Sequence, residues 1–275
     1  MLGKLLKHEF QATGRLIPFI FAAIGGLLLL TYLSTLFDIV VFTEMASMLL
    51  FACCGAAVIV TLIAVISRYA KSMFGAEGYL TNTLPVSKKS LVLSKALVAF
   101  IWLTLSFLVV IVATIVFMWF MGVFNDSFQK GFDEFLQLAG IGGTSGLIKL
   151  LIFFTAMMLV QLVVFITQVY LAITINHVAP FNKLGPGGAF VNFIVIYIFF
   201  QLIDTVLMFF VPLSLKIGGG DISLSTQPMG GSIFAASSDT MPPAIGLGSY
   251  LFNIIGIAVM FWLIIWMTKK KIALK

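Results

Sequence analysis

Residues 96–121 read ALVAFIWLTLSFLVVIVATIVFMWFM, twenty-six positions without one charged side chain. As a helix rising ~1.5 Å per residue, such a stretch covers about 39 Å, more than the ~30 Å hydrocarbon core of a bilayer. Apolar on every side, it has no face to turn to water, so it predicts a membrane-crossing helix and not the surface helix of a soluble domain. Five blocks of the same kind lie at 16–37, 46–67, 151–174, 189–212 and 244–267, and all six together hold one formal charge, Asp204. In lipid every backbone polar group must be satisfied within the segment, which for such blocks means helix. The predicted fold class is all-α: a polytopic membrane protein of six transmembrane helices, forming a single domain over 1–275.

The bulk composition agrees. Of 275 residues, 61% are hydrophobic and 9% charged, where a soluble domain carries about 25% charged residues. The net charge of +6 does not point to nucleic acid, because the basic residues lie between and beside apolar blocks; lipid phosphates are the anionic neighbours that placement offers. The first apolar block begins only at Leu16, runs past twenty residues and lacks a small-residue cleavage site, so no cleavable signal peptide is expected. Cys53 and Cys54 are neighbours inside a block. On one helix they point about 100° apart and read as two small buried residues, without redox or metal meaning.

Lysine and arginine sort by side. Thirteen, from Lys4, Lys7 and Arg15 through Arg68–Lys95 to Lys183 and the C-terminal lysines, fall on one side of a six-span chain, and Lys130, Lys149 and Lys216 on the other. The positive-inside rule places the first set, with both termini, in the cytosol. Asp126, Asp133, Glu134, Asp221 and Asp239 fall on the opposite side, and a five-span chain would break the sorting.

The connections differ in character. Residues 1–15 predict an amphipathic interfacial helix, with Leu2, Leu5, Leu6 and Phe10 on one face and Lys4, Lys7, His8 and Gln11 elsewhere. The segment 68–95 is the longest cytosolic connection, and Gly75, Gly78 and Pro85 prevent it from being one smooth helix. Ser87 predicts an N-cap, so the third span starts near Lys88 and its first turns stand clear of the bilayer. On the other side, 128–138 predicts a short amphipathic piece followed by a glycine-rich bend at 140–146. Residues 213–243, rich in Gly, Ser and Thr, predict an irregular loop with a short dipping helix near 233–236.

Chemistry-bearing motifs are scarce. The sequence contains no G-x-x-x-x-G-K-[ST] to cradle ATP phosphates and no H-E-x-x-H; its two histidines, His8 and His177, fall in connections. A protease within the membrane would need a Ser–His pair, paired aspartates or a metal cluster inside the spans. Catalysis by this chain alone is therefore not expected, and no cofactor or metal is expected on it. The polar residues within the spans are few. Tyr197, Gln201 and Asp204 recur at helical spacing, with Thr205 alongside, and Gln161 and Gln168 stand seven apart. They form either a substrate pathway or structural glue between helices, with Asp204 paired to Lys149 or Lys216 or protonated. Small residues at Ala22/Gly26 and Ala52/Ala56 suit close helix packing.

Between the second and third spans runs Glu77-Gly78-Tyr79-Leu80-Thr81-Asn82-Thr83-Leu84-Pro85-Val86-Ser87, followed by Lys95. The order and position of these residues resemble the first cytosolic loop of ABC-2 type permeases, the membrane subunits of bacterial ABC exporters. The opening Leu5-Leu6-Lys7-His8-Glu9-Phe10 through Gly14-Arg15 resembles permeases of the same family. The resemblance implies a bacterial plasma-membrane subunit, dimeric with a second copy or a homologue, in which this loop fits a groove on a separate ABC ATPase. ATP and Mg would be bound by that ATPase. It implies an ATPase-coupling surface built from Met73, Phe74, Glu77, Gly78, Tyr79, Leu80, Thr83, Leu84 and Pro85, and an amphipathic cargo such as a peptide antibiotic, lipid or drug. The second cytosolic loop, 175–188, departs from the pattern in being short, rich in Pro and Gly and without an evident helix. Two readings from the residues alone stand beside it: a proton-coupled secondary transporter using Asp204, and a non-transporting membrane sensor or scaffold subunit.

Overall fold

The structure, a computed structural model, describes residues 2–14, 16–75, 77–78, 86–138, 141, 143–178, 185, 187–218, 221–230 and 244–270. Its main elements are eight helices: α1 (Leu2–Thr13), α2 (Ile17–Leu36), α3 (Val40–Phe74), α4 (Lys88–Phe120), α5 (Asp126–Leu138), α6 (Gly143–Asn176), α7 (Gly188–Phe210) and α8 (Gly248–Lys270). Six of them, α2, α3, α4, α6, α7 and α8, are long and apolar enough to cross a membrane. The protein is an all-α, multi-pass membrane protein. The chain divides into two compact units, Met1–Asp126 and Ser127–Ala273.

In the first unit α1, α2, α3 and α4 pack on one another. Pro18 sits in the first turn of α2, where its missing N–H is not needed. The helix ends through Asp38 at φ 54°, with Ile39 N–H donating to Ser34 O (3.2 Å) and Asp38 N–H to Thr35 O (3.3 Å). These bonds satisfy orphan carbonyls and turn the chain straight into α3, which therefore starts at Val40, ahead of the block at 46–67. At 35 residues, α3 measures about 52 Å and outruns the bilayer core. Ser87 caps α4, its hydroxyl accepting from Ser90 N–H at 3.2 Å, as expected from the sequence. Ile24, Leu50, Cys54, Ala57 and Ala113 form a core between α2, α3 and α4. Deeper along the α3–α4 seam, the buried hydroxyls of Thr61 and Ser106 satisfy each other at 2.9 Å.

In the second unit α6, α7 and α8 pack on one another. The segment expected to be irregular instead contributes strands. β1 (Ser214–Gly218) pairs antiparallel with β2 (Asp221–Ser225) and with β3 (Ala244–Gly246), in the order β2-β1-β3. Leu215, Ile217, Ile222 and Leu224 alternate with polar residues across Gly219-Gly220, a period-2 pattern with a hairpin turn that the glycine-rich composition of the whole loop conceals. The sixth span accordingly begins at Gly248, because 244–246 belong to the sheet. The dipping helix expected near 233–236 lies outside the described residues. Leu215, Leu247 and Ile141 form a small core with Leu136 of α5 and Leu150, Phe153 and Met157 of α6.

Helices α7 and α8 approach closely through glycine. A Cβ at Gly256 would lie 2.8 Å from the Phe200 ring, and one at Gly248 would lie 2.5 Å from Leu207 O and from Val211 Cβ. With no hydrophobic drive between helices in lipid, such contact supplies the packing energy. Gly248→Ala is expected to cost about 1–3 kcal/mol, the usual range for overpacking. Gly55→Ala, on α3 with no atom within 4 Å of the added Cβ, should be neutral or mildly stabilising. Thermal denaturation of both variants in one detergent checks this; equal midpoints would mean that the α7–α8 contact is slack.

Candidate functional site

Helix α1 turns one face inward. Glu9 and Thr13, one turn apart, are buried on it, while Lys4, Lys7, His8 and Gln11 are exposed. Phe10 lies on the Trp102 ring of α4 with centroids 5.7 Å apart. Phe10, on the apolar side that the sequence assigned to the headgroup region, thus packs against α4. Trp102 Nε1–H donates to Thr13 Oγ1 at 2.8 Å, and the Thr13 hydroxyl donates back to Glu9 O at 2.9 Å. One buried indole thus holds the end of α1 in register.

The polar end of this contact is a chain of alternating charges. Lys95 Nζ donates to Glu9 Oε1. Glu9 Oε2 accepts from Arg68 Nε at 3.1 Å, and Arg68 Nη1 donates to Glu77 Oε2 at 2.9 Å. The four residues come from α4, α1, the base of α3 and the turn beyond it. Side-chain exposure rises outward along the chain, 3% for Lys95, 11% for Glu9, 23% for Arg68 and 58% for Glu77. Two carboxylates and two cations leave no net charge, as a buried cluster requires. Burial by itself would push the Glu9 carboxyl up, but Lys95 and then Arg68 outweigh it and hold Glu9 below the ordinary carboxylate value.

The turn after α3 is tight. Gly75 N–H donates to Ala70 O and Lys71 O at 3.2 and 3.1 Å, and Gly78 N–H donates to Gly75 O at 2.8 Å. A Cβ at Gly78 would lie 2.7 Å from Met73 O, so a side chain there would open the turn. Of the residues assigned to an ATPase-coupling surface, Met73 and Phe74 are buried, Phe74 standing edge-on to the buried Tyr69 at 6.0 Å. Both pack inside the unit. Gly78 is buried and Glu77 exposed but tied to Arg68. Tyr79, Leu80, Thr83, Leu84 and Pro85 lie outside the described residues. Sequence reading quoted Glu9 and Lys95 without pairing them and took Arg68 only as a cytosolic charge. The available signal was that opposite charges border apolar blocks, where each needs a partner.

The other proposed group, in the second unit, is not brought together. Gln168 is buried on α6, whereas Gln161, Tyr197 and Gln201 are exposed. Tyr197 stacks on its own helix neighbour Phe193 at 5.9 Å. Asp204 is half-buried and accepts from Asn253 Nδ2 of α8 at 3.1 and 3.2 Å, so its partner is an amide and not Lys149 or Lys216. Lys216 donates to Gln227 Oε1 at 2.7 Å. No trio of His, Cys, Asp or Glu side chains placed to hold a metal occurs among the described residues. No family model, curated protein or solved structure matches this chain.

Removing one member of a buried ion pair takes from the other the charge that offsets its burial. Glu9→Gln is therefore expected to cost about 3–5 kcal/mol, while Glu9→Leu combined with Lys95→Met recovers most of that loss. Denaturation midpoints of the single and double variants check this, and a double variant as damaged as the single would show that charge is not what matters. Because Glu9 is held low when folded, its contribution is complete above the ordinary value of 4.5 and is lost as pH falls below it. Acid titration should destabilise the wild type more than the double variant.

Proposed function

We propose that this protein is the membrane-spanning permease subunit of an ATP-driven ABC exporter, coupled to a separate ATPase through residues 68–95. Three facts support the reading. The chain has six helices able to cross a membrane. Residues 77–87 and 5–15 resemble ABC-2 type permeases in the order and place of their residues. The observation that carries most weight is the charge chain, because it roots the resembling loop in the helices of the first unit. A force on Glu77 acts through Arg68 on α3 and, through Glu9 and Lys95, on α1 and α4. A loop that only joined two spans would not need that anchoring. Energy from ATP hydrolysis has to enter such a bundle from outside the bilayer, and a rigidly rooted loop is a suitable entry point.

In this reading both termini and residues 68–95 face the cytosol of a bacterial cell, in line with the lysine and arginine sorting. The protein works beside a second permease, identical or homologous, and moves an amphipathic molecule such as a peptide antibiotic, lipid or drug. The ATPase contact then falls to Glu77 and the residues after it, since Met73 and Phe74 are buried.

Isolation of the tagged full-length chain from its host in mild detergent should recover a near-equimolar P-loop ATPase with measurable ATP turnover. Glu77→Arg should lose that subunit or uncouple its turnover while the chain still elutes as folded protein. Recovery of no ATPase, under conditions that keep other membrane complexes intact, overturns the proposal.

A further inference from the structure

Helix α5 carries an exposed aromatic face, independent of the transport reading. Its sequence DSFQKGFDEFLQL places Phe128, Phe132 and Phe135 at spacings of four and three, on one helical face. Asp126, Lys130, Asp133 and Glu134 fall on the opposite side. The Phe128 and Phe132 rings stack at 6.0 Å. Phe132 is 40% exposed and Phe135 61%, a large opening for aromatic side chains on so short a helix.

The end of α5 fixes where this face sits. Leu136 packs in the cluster that holds Leu150, Phe153 and Met157 of α6, and Ile141 N–H donates to Leu136 O at 2.9 Å. Leu150 and Phe153 lie where the apolar stretch of a membrane-crossing helix begins, beside Leu151 and Ile152, which are exposed at 55% and 65%. Helix α5 is thus held where the hydrocarbon begins. The open aromatic area amounts to roughly 300 Å², against about 800 Å² on each side of a stable protein interface. A lipid surface has no such minimum.

We propose that α5 is an in-plane membrane anchor, with Phe128, Phe132 and Phe135 inserted at the boundary between headgroups and acyl chains. Its polar face carries three carboxylates against one lysine, so the matching surface is zwitterionic lipid and not an anionic one.

The test uses the full chain with Cys53→Ala and Cys54→Ala, reconstituted in phosphatidylcholine vesicles. Phe132→Cys, Phe135→Cys and Asp133→Cys are made singly and nitroxide-labelled. Labels at 132 and 135 are expected to collide severalfold more with oxygen than with a water-soluble nickel chelate, and the label at 133 the reverse. Replacing one phenylalanine leaves two in place, and agreement between 132 and 135 guards against a local distortion at either. Equal access of the chelate to all three positions overturns the proposal in favour of a solvated face. Shielding of 132 and 135 from both quenchers overturns it in favour of a protein partner. Addition of phosphatidylglycerol should leave the depth unchanged or reduce it; a deeper label would overturn the assignment to zwitterionic lipid.

Discussion

A charge withdrawn from water must be matched where it lies, and in the first unit that requirement falls on Lys95. Its ammonium is buried in the opening turns of a helix that runs on, without another charge, to Phe120. Glu9 supplies the match, so α1 cannot leave α4 without costing the lysine its carboxylate. Because one carboxylate faces both Lys95 and Arg68, α1 also fixes the base of α3. The Trp102–Thr13 hydrogen bond then sets the register. A helix too polar to enter the bilayer and too short to be stable alone thereby becomes a structural member of the bundle.

The second unit meets the bilayer's demands in another way. Glycines at 248 and 256 bring α7 against α8, and an amide answers the one carboxylate within its spanning helices. Ser249, Asn253, Met260 and Ile264 form the buried line of α8, a repeat of roughly one turn that continues the glycine contacts. Packing of this kind depends on shape. It tolerates little added volume, whereas the first unit's base depends on complementary charge and tolerates little loss of it.

These differences explain what could be read in advance. All six spans were legible, because twenty apolar residues in a row admit one solution in a membrane. So were the Ser87 cap and the amphipathic character of α1 and α5, which follow from spacing within one helix. The hairpin at 214–225 was not read, since composition outweighed a short alternation. The pairing of Glu9 with Lys95, eighty-six positions apart in sequence, is a tertiary fact that no local period encodes. The stripe Tyr197–Gln201–Asp204 shows the same dependence on tertiary context. Periodicity placed the three near one face, but Asn253 of α8 engages only the last of them, and which part of a face is covered depends on the neighbouring helix.

The two energy sources considered for this chain make different structural demands. A proton-driven carrier needs its carboxylate to reach water from each side in turn, through a polar path that the protein opens and closes. Asp204 has one amide partner, and the neighbouring polar residues Tyr197 and Gln201 are exposed on α7 and do not gather around it. An ATP-driven exporter needs a stiff connection between a surface outside the bilayer and the spanning helices. The Lys95–Glu9–Arg68–Glu77 chain has that character: it begins at a half-exposed carboxylate, ends at a buried ammonium and ties α1, α3 and α4 on the way. The burial gradient gives it direction, from the exposed Glu77 to the buried Lys95. In the exporter proposed above, a connection of this kind would carry a partner's movement from Glu77 into the first unit.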